Sequence, residues 1–364
     1  MNEVAASTIA LGRAAPRRGR PLRAIALPLS AVLLLAAVIA SLAIGPVPVP
    51  PAHVAEILWN FVTGDAVRDT GAEVVVLDVR LPRTLLAVLI GAALAVSGAV
   101  MQGLFRNPLA DPGVVGVSSG AGLAAAAWFV LGAGMAASLP WPLGEFGLPI
   151  SAFIGGLIVT FILHVLSRHD GRTSVTTLIL AGIAITAFTS AGTGMLVFMS
   201  SDQQLREFTF WTLGSLAGGT WTKVLMVLPF TGVFVLLAPT LARGLDAIAL
   251  GEAEAFHVGI DVETMKRIAI VGVAAAVGAS VAVAGAIAFL GLTVPHLIRL
   301  AIGPAHRSLL MVSALFGAAM LVATDLVART IASPAEIPLG VITAGIGAPF
   351  MLWLILSRRR MLAI

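Results

Sequence analysis

The stretch GAALAVSGAVMQGLFRNPLADPGVVGVSSGAG, residues 91–122, decides the fold. It continues an apolar run that starts at Arg83, and no charged side chain intervenes before Arg106. A second uncharged run follows Asp111 and extends to residue 133. A helix that crosses a bilayer needs about 20 mostly apolar residues. The stretch therefore reads as two spans, 83–104 and 113–133, joined by a turn at Asn107-Pro108 and Asp111-Pro112. Gly91 with Ala95, and Gly116 with Gly120, are small residues four apart that let helices approach closely. Packing within one subunit is the simplest use for each pair.

The rest of the chain repeats this pattern. Of 364 residues, 59% are hydrophobic and only 11% charged, against roughly 25% charged in soluble domains. A soluble enzyme is excluded. Further apolar runs at 24–44, 148–166, 176–199, 224–241, 268–289, 292–303, 309–328 and 338–356 bring the expected total to ten helices. The run at 24–44 exceeds the usual core of a signal peptide and ends in Gly45-Pro46-Val47-Pro48, so it reads as a retained first helix. The expected layout is a basic segment 1–23, one transmembrane unit 24–357 and a tail 358–364. Both termini then lie on one side. That side carries sixteen of the 22 Lys and Arg, while Arg68, Arg80, Arg83, Arg206, Lys223 and Arg329 lie on the other. Basic residues concentrate in cytoplasmic loops, so the termini are expected to be cytoplasmic.

Residues 91–110 align without a gap to 278–297, GASVAVAGAIAFLGLTVPHL. Gly91, Ala95, Gly98 and Pro108 recur as Gly278, Ala282, Gly285 and Pro295. With ten spans, the two copies run in opposite directions. Inverted repeats of this kind are common in transporters.

Catalytic signatures are missing. There is no GxxxxGK[ST] or HExxH sequence, no Cys and no Tyr, and the six His are scattered. Asp325 is the single carboxylate expected well inside a span, whereas ion-coupled carriers keep more ionisable groups at mid-membrane. An external driving force is implied. The loop 242–267 could receive it. It contains ALGEAEAFHVGI at 249–260, a short helical pattern broken at Gly251 and Gly259, with Glu252 and Glu254 in a chain poor in acids. It is either a solvated connector or a docking surface.

These segments together resemble the FecCD-type (type II) permeases of ABC importers for haem, iron-siderophore and cobalamin uptake. The resemblance covers about residues 30–357. It rests on RLPRTL at 80–85, the stretch 91–122, ALGEAEAFHVGI at 249–260, AGAIAFLGLTVPHLIRL at 284–300 and DLVARTIASPAEIPLGVITAGIGAPFMLWLIL from 325. It implies ten helices per subunit and a homodimer with the pathway on its two-fold axis. It also implies two ATP-binding subunits on the cytoplasmic side and a periplasmic binding protein outside, in a bacterial inner membrane. ATP and Mg would belong to the ATPase, so this chain would bind no cofactor of its own, and nucleic acid plays no part.

The resemblance also suggests roles for particular residues. Arg80, Arg83 and Arg329 would face outward and pair with acidic residues of the binding protein; anchoring at the membrane interface is the alternative. Gly251, Glu252, Ala255, Val258 and Gly259 would shape the contact with the ATPase, where Glu252 could meet a basic residue of that partner. Asn107, Leu109, Val175 and Thr176 match positions of the cytoplasmic gate. The TFWTLGSL sequence within 202–221 is closest to the haem branch. A haem path would be wide and mostly apolar, and Met101, Gln102, Met195 and Met199 could line it, although Met at helical spacing also serves ordinary packing. Ferric siderophore or cobalamin is the alternative cargo, and an ion-coupled secondary transporter is the alternative machine.

Overall fold

The computed structural model describes residues 20–64, 71–132, 143–169 and 172–362. Arg13, Arg17, Arg18 and Arg68 lie outside the described residues. The fold is helical apart from a two-residue antiparallel hairpin, Arg168–His169 with Arg172–Thr173. In chain order the helices are α1 (Arg20–Ala43), α2 (Pro51–Thr63), α3 (Gly71–Leu104), α4 (Val117–Gly132), α5 (Leu143–Leu166), α6 (Val175–Phe198) and α7 (Asp202–Thr212). Then follow α8 (Trp221–Ile248), α9 (Glu252–His257), α10 (Val262–Ala284), α11 (Leu290–Ile302), α12 (His306–Ile331) and α13 (Leu339–Leu362).

Every expected span has a helix, yet the helices are not equivalent. Among the described residues, seven are long and apolar enough to cross a membrane, namely α1, α3, α5, α6, α8, α10 and α12. The apolar parts of α4, α11 and α13 are shorter. The 13 residues of α11 rise only about 20 Å, short of a hydrocarbon core of about 30 Å. The amphipathic α2 and α7 were not anticipated.

Helix α3 is the axis of the bundle. From Pro82 to Leu104 nearly all its side chains are buried, mainly against α12, α8, α11 and α10. Glycines set those approaches. A Cβ on Gly91 would lie 2.5 Å from the Gly317 carbonyl oxygen of α12, and one on Gly317 would lie 2.4 Å from the Ala95 Cβ. A Cβ on Gly98 would lie 1.6 Å from the Gly291 carbonyl oxygen. Helices in lipid gain little from hydrophobic transfer between them, so close backbone packing does much of the holding. Gly98→Ala cannot be absorbed by a rotamer change, because the obstacle is backbone. It is expected to cost about 1–3 kcal/mol or more, measurable as a lowered melting temperature in detergent.

The two copies of the expected repeat differ in their second halves. In α3 the helix passes straight through Gly98 and ends before Pro108. In the second copy α10 stops at Ala284. Gly285 takes φ 71°, a left-handed value that favours glycine, and Phe289 takes φ 65°. A Cβ on Gly285 would lie 2.0 Å from the Trp211 carbonyl oxygen. Pro295 does not close a segment but sits inside α11. The break at 285–288 is covered by neighbouring backbone. Ser215 N–H donates to the Ala284 carbonyl, and the N–H groups of Leu339 and Gly340 donate to the carbonyls of Gly214 and Leu213. Irregular backbone at membrane depth persists only with such partners.

Candidate functional site

Polar groups gather at two opposite ends of the bundle. Helix α3 runs from one to the other, and α12 returns antiparallel to it.

At the first end, the start of α3, the end of α1 and the end of α12 enclose three arginines. Arg83 is 8% exposed and lies between two carboxylates. Its Nε donates to both Asp325 oxygens at 3.0 Å, and its Nη2 to Asp325 Oδ1 at 2.8 Å. Its Nη1 and Nη2 reach Glu336 at 2.8 and 2.9 Å. Arg80 donates to the carbonyls of Leu42 at 2.6 Å, Ala43 at 3.0 Å and Val47. It ends a π-helical segment, Val75–Arg80. Gly45 makes room for it, since a Cβ there would lie 2.7 Å from Arg80 Nη2. Arg329 donates to the carbonyl and hydroxyl of Ser41 and lies 3.9 Å from Asp325. Ser41 and Thr84 share a hydrogen bond at 2.8 Å. The expected outward presentation of Arg80, Arg83 and Arg329 is therefore not what the structure shows. All three are buried and engaged by groups of their own chain, because desolvated guanidinium groups need local acceptors. Glu336, with a side chain 35% exposed, is the half-open member of the cluster.

At the opposite end lies the 242–267 segment. Gly251 adopts φ 148°, ψ 153°, a conformation open essentially to glycine, and launches α9. The helix ends in paired backbone bonds, Ile260 N–H to the Ala255 carbonyl and Gly259 N–H to the Phe256 carbonyl, with Gly259 left-handed at φ 83°. Ala255 is fully buried under the turn. Leu250, Phe256 and Val258 are 79%, 73% and 70% exposed. A groove of about 700 Å³ opens beside Phe256, lined also by Glu252, Ala253, His257, Ile260 and Glu263. An exposed apolar cluster on a rigidly capped turn is an interaction surface in the making.

One side chain anchors this turn. Lys266, in the first turns of α10, is 2% exposed. Its ammonium donates to Glu252 at 2.9 Å, Glu263 at 3.2 Å and the Thr173 carbonyl at 3.1 Å. Glu263 in turn accepts from the Thr173 amide and hydroxyl, each at 3.0 Å. Glu252, expected to seek a partner on another protein, is thus bound within the chain while its side chain stays 44% exposed. Thr173 sits just before Ser174, which caps α6 by accepting from the Thr177 amide. The hub therefore joins α9 to the start of α6. Asp261 caps α10 through Thr264, whose hydroxyl and amide hold its carboxyl below the ordinary aspartate range. The sequence singled out Glu252 but not Lys266, although only two lysines in the chain could have drawn attention to it.

The gate candidates lie at the same end. Asn107 is exposed and its side-chain oxygen accepts from the Leu109 amide at 2.9 Å; Leu109 is 45% exposed. Val175 is half-buried and Thr176 exposed at the start of α6. The proposed lining divides. Met101 is fully buried and Gln102 is 2% exposed, so both belong to the interior of the subunit rather than to a path along its surface. Gln102 donates to the Leu292 carbonyl and accepts from Arg299 Nη1 at 2.8 Å. Met195 on α6 and Met199 just after its end are 61% and 59% exposed.

A family model, the FecCD transport family, matches residues 33–357. The chain is 46% identical over 302 residues to the hemin transport system permease protein of Yersinia pestis, covering 83% of this chain and 87% of that one. It is 44% identical over 289 residues to the cobalamin import system permease protein of Halobacterium salinarum, covering 79% and 74%. A solved structure described as an inward-facing conformation of a metal-chelate type ABC transporter matches with a TM-score of 0.78 at 30% identity, covering 91% of this chain and 98% of that one.

Proposed function

Since the chain belongs to the FecCD transport family, we propose that it is the membrane permease subunit of an ATP-driven importer whose cargo is haem. The observation that carries this reading is the turn 249–260. It is rigidly capped, tethered through Lys266, and presents Leu250, Phe256 and Val258 outward. A separate ATPase would seat on it and supply the hydrolysis for which this chain has no P-loop. The reading places that end and both termini in the cytoplasm of a bacterium, beneath its inner membrane. A binding protein then meets the opposite end, where the buried arginines fix the shape of the surface instead of offering free charge. Helix α6, with Leu180, Ile183, Phe188, Met195 and Phe198 exposed, is the proposed face toward a second copy and the shared pathway. No metal or cofactor is assigned to the chain itself.

Haem is favoured by the hemin permease at 46% identity, and cobalamin is the second reading because the cobalamin permease follows at 44%. Uptake into vesicles containing the permease, its ATPase and its binding protein tests both parts. ATP-dependent accumulation of haem in preference to cobalamin and ferric siderophore is expected. Accumulation driven by a proton or sodium gradient without ATP would replace the machine, and preference for cobalamin would replace the cargo.

Phe256→Asp tests the docking turn. A buried aromatic anchor at an interface is commonly worth 2 kcal/mol or more, so the affinity for the ATPase should fall roughly 30-fold or more. Pull-down titration reads this directly, and unchanged affinity would show that the ATPase seats elsewhere.

A further inference from the structure

A basic pocket beside the docking turn has no role in the reading above. Arg23 at the start of α1, Arg106 just after α3 and Arg299 near the end of α11 line a cavity of about 650 Å³, with Gln102, Asp246 and His306 in its wall. Asp246 is the one acid among the lining residues, and its Oδ1 already accepts from the His306 backbone amide at 3.0 Å and faces its Nδ1 at 2.7 Å. Arg299 is half-buried and hydrogen-bonded to a neutral amide, Gln102. Arg23 donates to the Ile302 carbonyl. Three guanidinium groups thus share a pocket with one committed carboxylate.

Arg106 adds an independent observation. It has φ 48°, so a non-glycine residue occupies left-handed backbone. The surrounding bonds, Arg106 N–H to the Gly103 carbonyl and Asn107 N–H to the Gln102 carbonyl, form the helix end at which glycine is the usual choice. Arginine here is strained, and strain of this kind persists where the side chain has work to do. The pocket also opens where three helix ends meet, the place at which lipid headgroups lie along a membrane protein.

We infer that this pocket binds the phosphodiester headgroup of an anionic phospholipid. Basic pockets between helix ends hold such headgroups through charge-assisted bonds to phosphate oxygens. The headgroup supplies the counter-charge that Arg299 and Arg106 lack, and it fastens α1, α3 and α11 next to Ala249 and the docking turn. The inference stands apart from transport, because it needs only a membrane-embedded chain.

Native mass spectrometry of the full chain, stripped of lipid and titrated with phosphatidylglycerol or phosphatidylcholine, tests it. Phosphatidylglycerol should bind at least roughly tenfold more tightly, as expected of two or three basic contacts at about 1 kcal/mol each. Arg299→Gln should remove that preference. Arg106→Gly should weaken it while leaving the thermal unfolding temperature equal or higher, because the strain is relieved; this separates lost binding from lost folding. Equal binding of the two lipids, or an unchanged preference in both variants, would overturn the proposal. Displacement of the lipid by inorganic phosphate at equal affinity would also overturn it, by showing a free-anion site.

Discussion

Asp325→Ala is expected to destabilise the protein by about 3–5 kcal/mol, the cost of removing one partner from a buried ion pair. Against a typical total stability of 5–15 kcal/mol, that is enough to lower the melting temperature sharply and to reduce the amount of folded protein in the membrane. The argument rests on geometry. Asp325 is 1% exposed and accepts three bonds from Arg83 while lying 3.9 Å from Arg329. Without it, three guanidinium groups crowd a buried space in which Arg83 keeps the half-exposed Glu336 as its carboxylate partner. Glu336→Gln should cost much less, about 0–1 kcal/mol, since water screens its pairing. Joint replacement of Arg83 by Met and Asp325 by Leu should recover much of the loss, because a buried pair exchanged for apolar groups of similar volume is often neutral. Thermal unfolding of the purified variants in detergent decides the matter. Melting of Asp325→Ala at the wild-type temperature would remove the cluster from the account of stability.

The sequence disclosed the elements that depend on local composition. Among the described residues, apolar runs located the seven helices long enough to cross a membrane and three shorter ones, because each must bury its length in lipid or protein, and Gly251 and Gly259 marked the 249–260 turn because positive φ at its two ends favours glycine. Tertiary pairing was not legible. Arg83 and Asp325 are 242 residues apart, and nothing in their neighbourhoods says that one neutralises the other. The arginines therefore read as outward contacts when they are internal ties. Met101 and Gln102 read as lining because periodicity places residues on a face without saying which helix that face meets; α12 and α11 cover it here. The two copies of the repeat differ for a related reason. A glycine in an apolar run serves either close packing, as at Gly98, or a break in the helix, as at Gly285, and the letter is the same. Helices α2 and α7 escaped notice because a search for long apolar runs passes over short amphipathic ones.

Lys266→Met should uncouple hydrolysis from transport. The ammonium has three protons, and each has an acceptor: one ties α9 through Glu252, one ties α10 through Glu263, and one ties the hairpin through Thr173. On the proposed reading, a displacement of the 249–260 turn by the ATPase would be passed through this side chain to Thr173 and the start of α6, where Val175 and Thr176 lie. Methionine keeps the volume and removes all three bonds. The caps at Asp261 and Gly259 do not depend on Lys266, so α9 and α10 should still form and Phe256 should still seat the ATPase. The expected result is ATP hydrolysis near the rate of the wild-type complex, with cargo delivered per ATP reduced tenfold or more, equivalent to about 1.4 kcal/mol or more of lost coupling. Glu252→Gln should give a partial loss in the same direction, since it weakens one tie of three. The two substitutions together should be no worse than Lys266→Met alone, because residues acting through one network are not additive. The ratio of phosphate released to cargo accumulated in reconstituted vesicles measures this. A normal ratio in Lys266→Met would mean that the motion reaches α6 by another route, most directly through the backbone between α9 and α10.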